Sequence, residues 1–569
     1  MHQKLYPAAM QTVTGEKWGY INVKGLFVID PQFNQARDFQ KNGLAIVEVD
    51  GLYGVLDTTG SFIVKPQYDY ISSFSEERAS ASNSKGTWVI NEEGTLLTST
   101  PYPYIGRYEN GMAVFNKDTE SGVRYGYLDR QGQEALRPIY LSADDFQEKK
   151  ALVKVRENDF ALINRNGSVL YSYLYPYVGA RGDGLLAFQR DSGGKYGYIN
   201  EKGRIVVEPQ FDGAQRFYEQ RAIINRIDDY LYYYGVIDRK GNMVIEPEFN
   251  DIVPMKENRF AVGKAKKPSE PYLGSTYAIV KADGEYLSDF RYESVQPYEK
   301  GFASAHDREN TFFLNKKGKI AQHMPILPGQ GAMVLEGSLI RATIDYQLFY
   351  VNREGKLIWR PNKTIRLNHQ YRVLQWKYKP NPDYLVYYPV VRGMEDTKAQ
   401  QRVNETLREI SQVKPIPPEE QLDYSFYGDF EIEFFQQEIL VLQLNGSKYY
   451  FGAAHPMPTR TYTNIHLTDG TFFELKDLFK ENSDYVKVLS ELVGKDIQHD
   501  EQYDYIFPGS YKGVAPNQPF YVNERELFLY YPPYDIAPYA AGFVTFSIPF
   551  TEINDIINHQ GAFWKSFHE

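Results

Sequence analysis

A turn signal occurs ten times in the first two thirds of this chain and leaves few folds open to it. Asn22, Asp57, Asn91, Asp129, Asn164, Asn200, Asp238, Lys281, Asn315 and Asn352 are each followed three positions later by glycine, from Gly25 to Gly355, at intervals of 34–43 residues. Asn or Asp at the first position of a type I turn bonds the turn backbone, and glycine takes the left-handed residue that closes it. Such a turn joins two antiparallel strands. In the clearest copies an aromatic residue and a glycine stand just before the anchor: Trp18-Gly19, Tyr53-Gly54, Tyr125-Gly126, Tyr196-Gly197 and Tyr234-Gly235. Pro31, Pro66, Pro138, Pro209, Pro247 and Pro361 each lie nine residues past their anchor. Proline cannot donate to a ladder, so the second strand ends there or lies at an edge. A third strand, such as Leu44–Val49, leads into the next unit.

Each unit is thus a three-stranded meander that cannot bury its apolar surface alone, and stacked neighbours must cover it. The predicted fold over residues 1–362 is an all-β repeat array. An open solenoid is favoured over a closed propeller, which usually has about four to eight four-stranded blades. The aromatic-Gly strings resemble the WG repeat family of bacterial proteins over about residues 15–362. That resemblance implies a β-repeat array and brings no catalytic residues with it.

The pattern changes after Pro361, and residues 363–569 read as a separate α+β domain, expected to fold independently. Strands are expected at 371–379, 384–391, 423–434, 438–444, 448–454, 520–531 and 543–549. Thr397 opens a predicted helix with Gln400 at the capping-box position, and Ala399, Val403, Leu407 and Ile410 form its apolar stripe. Further helices are expected at 475–480 and 483–493, the latter capped by Gly494. The strings 387–407, 451–462, 474–479 and 531–550 resemble the C-terminal region of bacterial lysozyme-binding anti-sigma factors. Related domains precede some peptidoglycan deacetylase domains. The resemblance covers about residues 371–558 and implies a ligand- or protein-binding module of the cell-envelope type.

Composition narrows the function classes. A net charge of −10 without an evident basic face argues against a nucleic-acid partner. The absence of cysteine excludes thiol nucleophiles, disulfides and Cys-ligated zinc. No apolar run marks a signal peptide or a membrane span, which suggests a cytoplasmic protein, whereas the resemblance of the C-terminal domain suggests an extracytoplasmic one.

No motif for a nucleotide, a metal or a hydrolytic triad is present, so no catalytic residue, metal ligand or cofactor is predicted. His455 and His466 could form a metal or acid–base pair, but His455 reads better as a histidine bonded within a turn. Asp500, Glu501 and Asp504 lack the spacing of a calcium loop, and Lys264, Lys266 and Lys267 read as a solvated loop. The repeated aromatics at Trp18, Tyr53, Tyr125, Tyr196 and Tyr234 could stack on sugars, though packing between units explains them more simply. The candidate ligand contacts are Tyr531, Tyr534, Tyr539 and His455: tyrosines give rigid amphipathic area, and prolines pre-order the 531–542 loop. The expected function is a non-enzymatic binding scaffold for a protein or glycan ligand. A cell-wall glycan hydrolase using carboxylates such as Asp535 is the alternative.

Overall fold

The computed structural model describes residues 4–568. The chain forms two compact units. One holds the residues up to Ala9 and Lys17–Arg360; the other holds Met10–Glu16 and everything from Pro361 onward.

The first unit is a succession of ten small antiparallel sheets of three or four strands. Every anchor builds the same turn. At the copy centred on Asn200, the Oδ1 accepts from the amides of Lys202 and Arg204, and the amide of Gly203 donates to the Asn200 carbonyl at 2.8 Å. The ten turn glycines all have positive φ, between 67° and 89°. At Lys281 the side chain cannot accept; the turn keeps its backbone bonds, and the Glu285 amide donates to Asp283 Oδ1 instead.

The glycine after the aromatic has a different task. A Cβ on Gly197 would lie 2.4 Å from the Val207 carbonyl oxygen and 2.7 Å from the Pro209 nitrogen, and Gly19, Gly54, Gly126 and Gly235 face their own second strands as closely. The ladder skips this point: Tyr196 pairs with Phe211 and Tyr198 with Val207. Proline therefore does not stop the strand. Ile205–Phe211 runs through Pro209 as the outermost strand of its sheet, with the proline in a bulge opposite glycine, where no ladder donor is needed.

Packing between sheets follows the two-residue period of a strand. In Leu44–Val49, Leu44 and Ile46 join a cluster with Ile71, Ala79 and Ala81 of the following sheet, while Ala45 and Val47 pack with Tyr20, Ile29 and Phe33 of the preceding one. The same relation links each sheet to the next through the tenth. Buried tyrosines tie neighbours together: Tyr20, Tyr127 and Tyr198 each donate at 2.7 Å to the carbonyl seventeen residues on, at Arg37, Asp144 and Gln215.

The two ends of the array do not stay apart as in an open solenoid. Tyr6, Ala8 and Ile21 of the first sheet share a cluster with Leu339, Tyr350 and Trp359 of the tenth. Tyr350 donates to the Pro7 carbonyl at 2.9 Å, Tyr6 to the Glu336 carbonyl at 3.1 Å, and Arg341 pairs with Asp38 at 2.6 Å. The ten sheets thus have ten interfaces and close on themselves. They remain separate sheets rather than a barrel.

The second unit has two layers of core. A seven-stranded sheet runs in the order Thr364–Arg366, Arg372–Asn381, Tyr384–Arg392, Tyr424–Gln436, Ile439–Tyr450, Met457–His466 and Phe472–Phe473. Only Tyr384–Arg392 and Tyr424–Gln436 pair in parallel, and the crossover between them carries helix α1, Thr397–Ile410. Its stripe of Ala399, Val403 and Leu407 is fully buried on one sheet face, against Val373, Leu442 and Ile465. Asp396 is the N-cap, accepting from the amides of Lys398 and Ala399, so the helix is capped one residue earlier than Thr397. Gln400 turns back to accept from the amides of Gly393 and Met394.

Other boundaries also move. The break expected between strands 438–444 and 448–454 is absent, and Ile439–Tyr450 passes straight through Asn445-Gly446. A Cβ on Gly446 would lie 2.4 Å from Thr459 Oγ1, so this glycine marks a close approach between strands. Gly494 lies inside helix α2, Tyr485–His499, rather than at its end. The three-stranded sheet of Phe520–Val522, Glu526–Tyr531 and Val544–Pro549 packs with α2 in a second core around Leu489, Val493, Leu527 and Phe546. Met10–Glu16 belongs to this unit. Gln11 and Asn362 exchange two hydrogen bonds, at 2.9 and 3.0 Å, and Val13 packs on the α1 core.

Replacing Gly197 by alanine is expected to destabilise the repeat unit by about 2 kcal/mol or more, because the added carbon meets backbone that cannot rotate away. Gly203→Val is expected to cost about 1 kcal/mol or more through its left-handed backbone. Tyr198→Phe, which removes only the hydroxyl, is expected to cost about 1 kcal/mol. Urea denaturation of the three variants gives the order, and a Gly197→Ala protein as stable as the parent would refute the close-approach account.

Candidate functional site

Three of the four candidate ligand residues meet in the second unit. The rings of His455 and Tyr539 stack with centroids 3.7 Å apart and planes 23° apart. His455 Nε2 lies 3.1 Å from the Tyr534 hydroxyl, and Tyr539 donates to the Pro456 carbonyl at 2.8 Å. Tyr534 sits at φ 74° and is 51% exposed, so a left-handed turn pushes its ring outward. The short helical turn Tyr539–Ala541 follows Pro538 and aims Tyr539 back at the histidine. Tyr531 leaves this set. It is the last residue of its strand and points into the core between Tyr511 and Phe546. Strand alternation places it inward, a relation that a loop reading of 531–542 does not capture.

The remaining motifs separate. His466 lies between the carboxylates of Glu438 and Asp469, at 3.0 and 2.9 Å, and shares no partner with His455. Among the described residues no group of three His, Asp or Glu side chains is placed to hold a metal. Asp500 caps the single turn Glu501–Tyr503. Lys266 and Lys267 pair with Glu293 and Glu270, and Lys264 lies over the Phe290 ring at 4.9 Å. The repeated aromatics are half-buried against rings of the same or the adjoining sheet, as in Tyr177–Tyr196 and Tyr53–Tyr70.

The nest adjoins a polar sheet face that these candidates did not include. Asp429, Glu431 and Glu433 alternate with Phe430 and Ile432 along Tyr424–Gln436, so the acids share one face and the apolar residues bury in the other. Asp429, Asn445 and Arg460 lie in register across three strands, and so do Glu431, Gln443 and Tyr462. All three carboxyls are pushed above the usual carboxylate range: crowding by protein raises each of them, a neighbouring acid adds to this at the two glutamates, and Arg460 opposes it there. Glu431 and Glu433 are exposed and have no ion-pair partner among the described residues.

Aromatic rings form the wall beside this row. Tyr462, which donates to Gln443, stacks on Tyr521 at 4.0 Å, and Tyr521 stacks on Phe528 at 4.5 Å. The Arg460 guanidinium lies over Phe543 at 4.6 Å, with Nε lacking an acceptor, and Tyr530 donates to the Arg460 carbonyl. Arg460 is four residues from Pro456 in the same chain stretch, and Phe543, under its guanidinium, closely follows the Tyr539–Ala541 turn, so these two stretches connect the acidic row with the His455 nest. The face offers carboxylate acceptors beside flat rings, which suits a cationic or donor-rich partner. The period-two string Asp429-Phe430-Glu431-Ile432-Glu433 is the sequence signal that would have found it.

Glu431 and Glu433 should burden the fold at neutral pH, because their carboxyls titrate higher folded than unfolded and the charged form is the disfavoured one. The double substitution Glu431→Gln, Glu433→Gln is therefore expected to raise Tm at pH 7. The gain should shrink as pH falls through the raised folded pKa toward the ordinary glutamate range, where both states become protonated. A lowered Tm at pH 7 would show that these acids stabilise the sheet instead.

Comparison with known proteins adds the following. A model described as WG containing repeat matches residues 18–53, 53–88, 125–158, 196–228 and 234–267. A model described as a protein of unknown function (DUF3298) matches residues 476–551. The chain is similar to the peptidoglycan-N-acetylmuramic acid deacetylase PdaC of Bacillus subtilis, 22% identical over 187 residues, which is 31% of this chain and 39% of that protein. It thus spans well under half of the curated relative that it matches. Among solved structures, a DUF3298 family member from Bacteroides fragilis is 19% identical, covers 33% of this chain and 93% of its own, and has a TM-score of 0.26. A DUF3298 protein from Pseudomonas aeruginosa is 16% identical over 33% and 94%, also with a TM-score of 0.26.

Proposed function

We propose that this protein is a non-enzymatic binding protein, in which a repeat scaffold carries a C-terminal recognition module for a component of the cell envelope or for a protein acting on it. The observation that carries this reading is the face formed by Glu431, Glu433, Tyr462 and Tyr521, with the stacked pair His455–Tyr539 beside it. Raised carboxyl pKa values mark groups whose charged form the fold disfavours, and such groups cluster at functional sites. The similarity to a peptidoglycan deacetylase and the resemblance to lysozyme-binding domains favour an envelope ligand. Within that class, an acidic, ring-walled face is the complement of a basic protein such as lysozyme. Such a ligand would place the protein outside the cytoplasm. Among the described residues no helix is long and apolar enough to cross a membrane.

A binder is preferred to a glycan hydrolase because Asp535, the carboxylate singled out for catalysis, is exposed on its loop and, among the described residues, is bonded to no second acid or histidine. Calorimetric titration of hen lysozyme, and separately of a muropeptide, into the intact protein tests the proposal. Lysozyme is expected to bind with an affinity that falls as salt rises. The Glu431→Gln, Glu433→Gln protein and Tyr539→Ala are each expected to weaken it about tenfold. No heat from either ligand at high micromolar concentration would remove the envelope reading, and binding unaffected by all three substitutions would move it to another surface.

A further inference from the structure

The repeat unit holds a recess of about 600 Å³ between its fourth and fifth sheets, within the size range of small-ligand sites. Tyr104, Asn116 and Tyr125 of the fourth sheet form one wall. Asp144 and Asp145, which follow the two-residue strand Ser142–Ala143 of the fifth, form the other, and Arg216 of the seventh reaches its rim. Tyr104 and Tyr125 are ladder partners of the same residue, Asn116, so their rings flank it on one sheet face.

The charges here are unevenly matched. Lys150 pairs with Glu201 at 2.6 Å, and Arg181 is held between Glu201 and Glu148, so both cations are spent. Asp144 and Asp145 have no cation within ion-pair distance among the described residues. Crowding by the recess walls and the neighbouring Asp145 push Asp144, itself solvent-exposed, up to about 6, against the pull of Arg216. Asp145, also exposed, is raised by the same crowding and by Glu109, against Arg107. Asn116 Oδ1, shut off from water, also lacks a hydrogen-bond partner. Two solvent-exposed carboxylates without an ion-pair partner, set beside two tyrosine rings in one recess, suit a cationic ligand with a flat apolar face.

We propose that this recess is a second ligand site, taking a hexosamine whose amino group is free and protonated. The ammonium would sit between the two aspartates, and the sugar face would lie on the Tyr104 and Tyr125 rings. A simple alkylamine has no ring face to lay on the two tyrosines, and a neutral sugar leaves two carboxylates without a counter-charge. The repeated aromatics thus gain a ligand role at one position of the array, whereas elsewhere they only pack. The proposal is independent of the C-terminal reading, because none of its residues belongs to that unit.

The test is titration of the intact protein with methyl glucosaminide, methyl N-acetylglucosaminide, methyl glucoside and cadaverine, followed by saturation-transfer NMR. The glucosaminide is expected to bind, with the other three about tenfold weaker or worse. Asp144→Asn and Asp145→Asn should each weaken it about tenfold while leaving the melting temperature unchanged or raised, since each removes a charge the fold disfavours. Absence of saturable glucosaminide binding at millimolar concentration, equal binding of cadaverine or of the acetylated sugar, or full affinity in both folded variants would overturn the assignment.

Discussion

A meander whose central strands are apolar on both sides must be covered on both sides. Leu44–Val49 shows this most simply, with four consecutive buried residues divided between two neighbouring clusters. An array of such units has no natural end: wherever it stops, one buried face is left against water. Burial of apolar area is the dominant favourable term in folding, and two uncovered faces would forfeit it twice. Closure removes both faces together. Leu339, Tyr350 and Trp359 find in Tyr6, Ala8 and Ile21 what each interior sheet finds in its successor.

The end-to-end contact uses the same kinds of bond as the interior ones, tyrosine hydroxyls on backbone carbonyls and an ion pair, but it joins distant parts of the chain. Interior neighbours are joined covalently and arrive together in folding. The first and tenth sheets are more than three hundred residues apart in sequence, and bringing them together carries a loop-closure entropy. Two tyrosine hydroxyls bonded to backbone carbonyls and the Arg341–Asp38 pair are directional contacts, and they fix the register in which the ends meet. Glu336, which also touches Arg341, is raised by burial, so the latch keeps a partly buried charge beside its cation.

The two candidate sites share a physical logic although they lie in different units. Each is a place where acceptor groups outnumber the donors around them, beside exposed or stacked aromatic rings. In the second unit the acids occupy the solvent side of a strand whose other side is core, so the alternation that anchors the sheet also lines up the charges. In the repeat unit the aspartates follow a two-residue strand, where the chain passes from one sheet into the next. Neither arrangement helps the fold, and both hold carboxyls above their ordinary range.

The turns were legible residue by residue, because Asx at the first position and glycine at the fourth is a local requirement of backbone geometry and needs no knowledge of neighbours. The same holds for the aromatic-glycine copies and for the α1 stripe of Ala399, Val403 and Leu407. What failed was non-local. Pro209 reads as a stop until Gly197 is seen lying opposite it, and residues 445–447 read as a break between strands until Thr459 is seen pressed against Gly446. Tyr531 reads as a loop residue until its strand is paired and its ring turns inward. Closure was beyond the sequence for the same reason, since nothing in one unit records how the small rotation between neighbours accumulates over ten. The sequence by itself determined the repeating unit, its turns and the change of architecture near residue 361. Only the tertiary structure decided that the ends meet, and which acids and rings face one another, because those relations depend on distances between residues that no local rule connects.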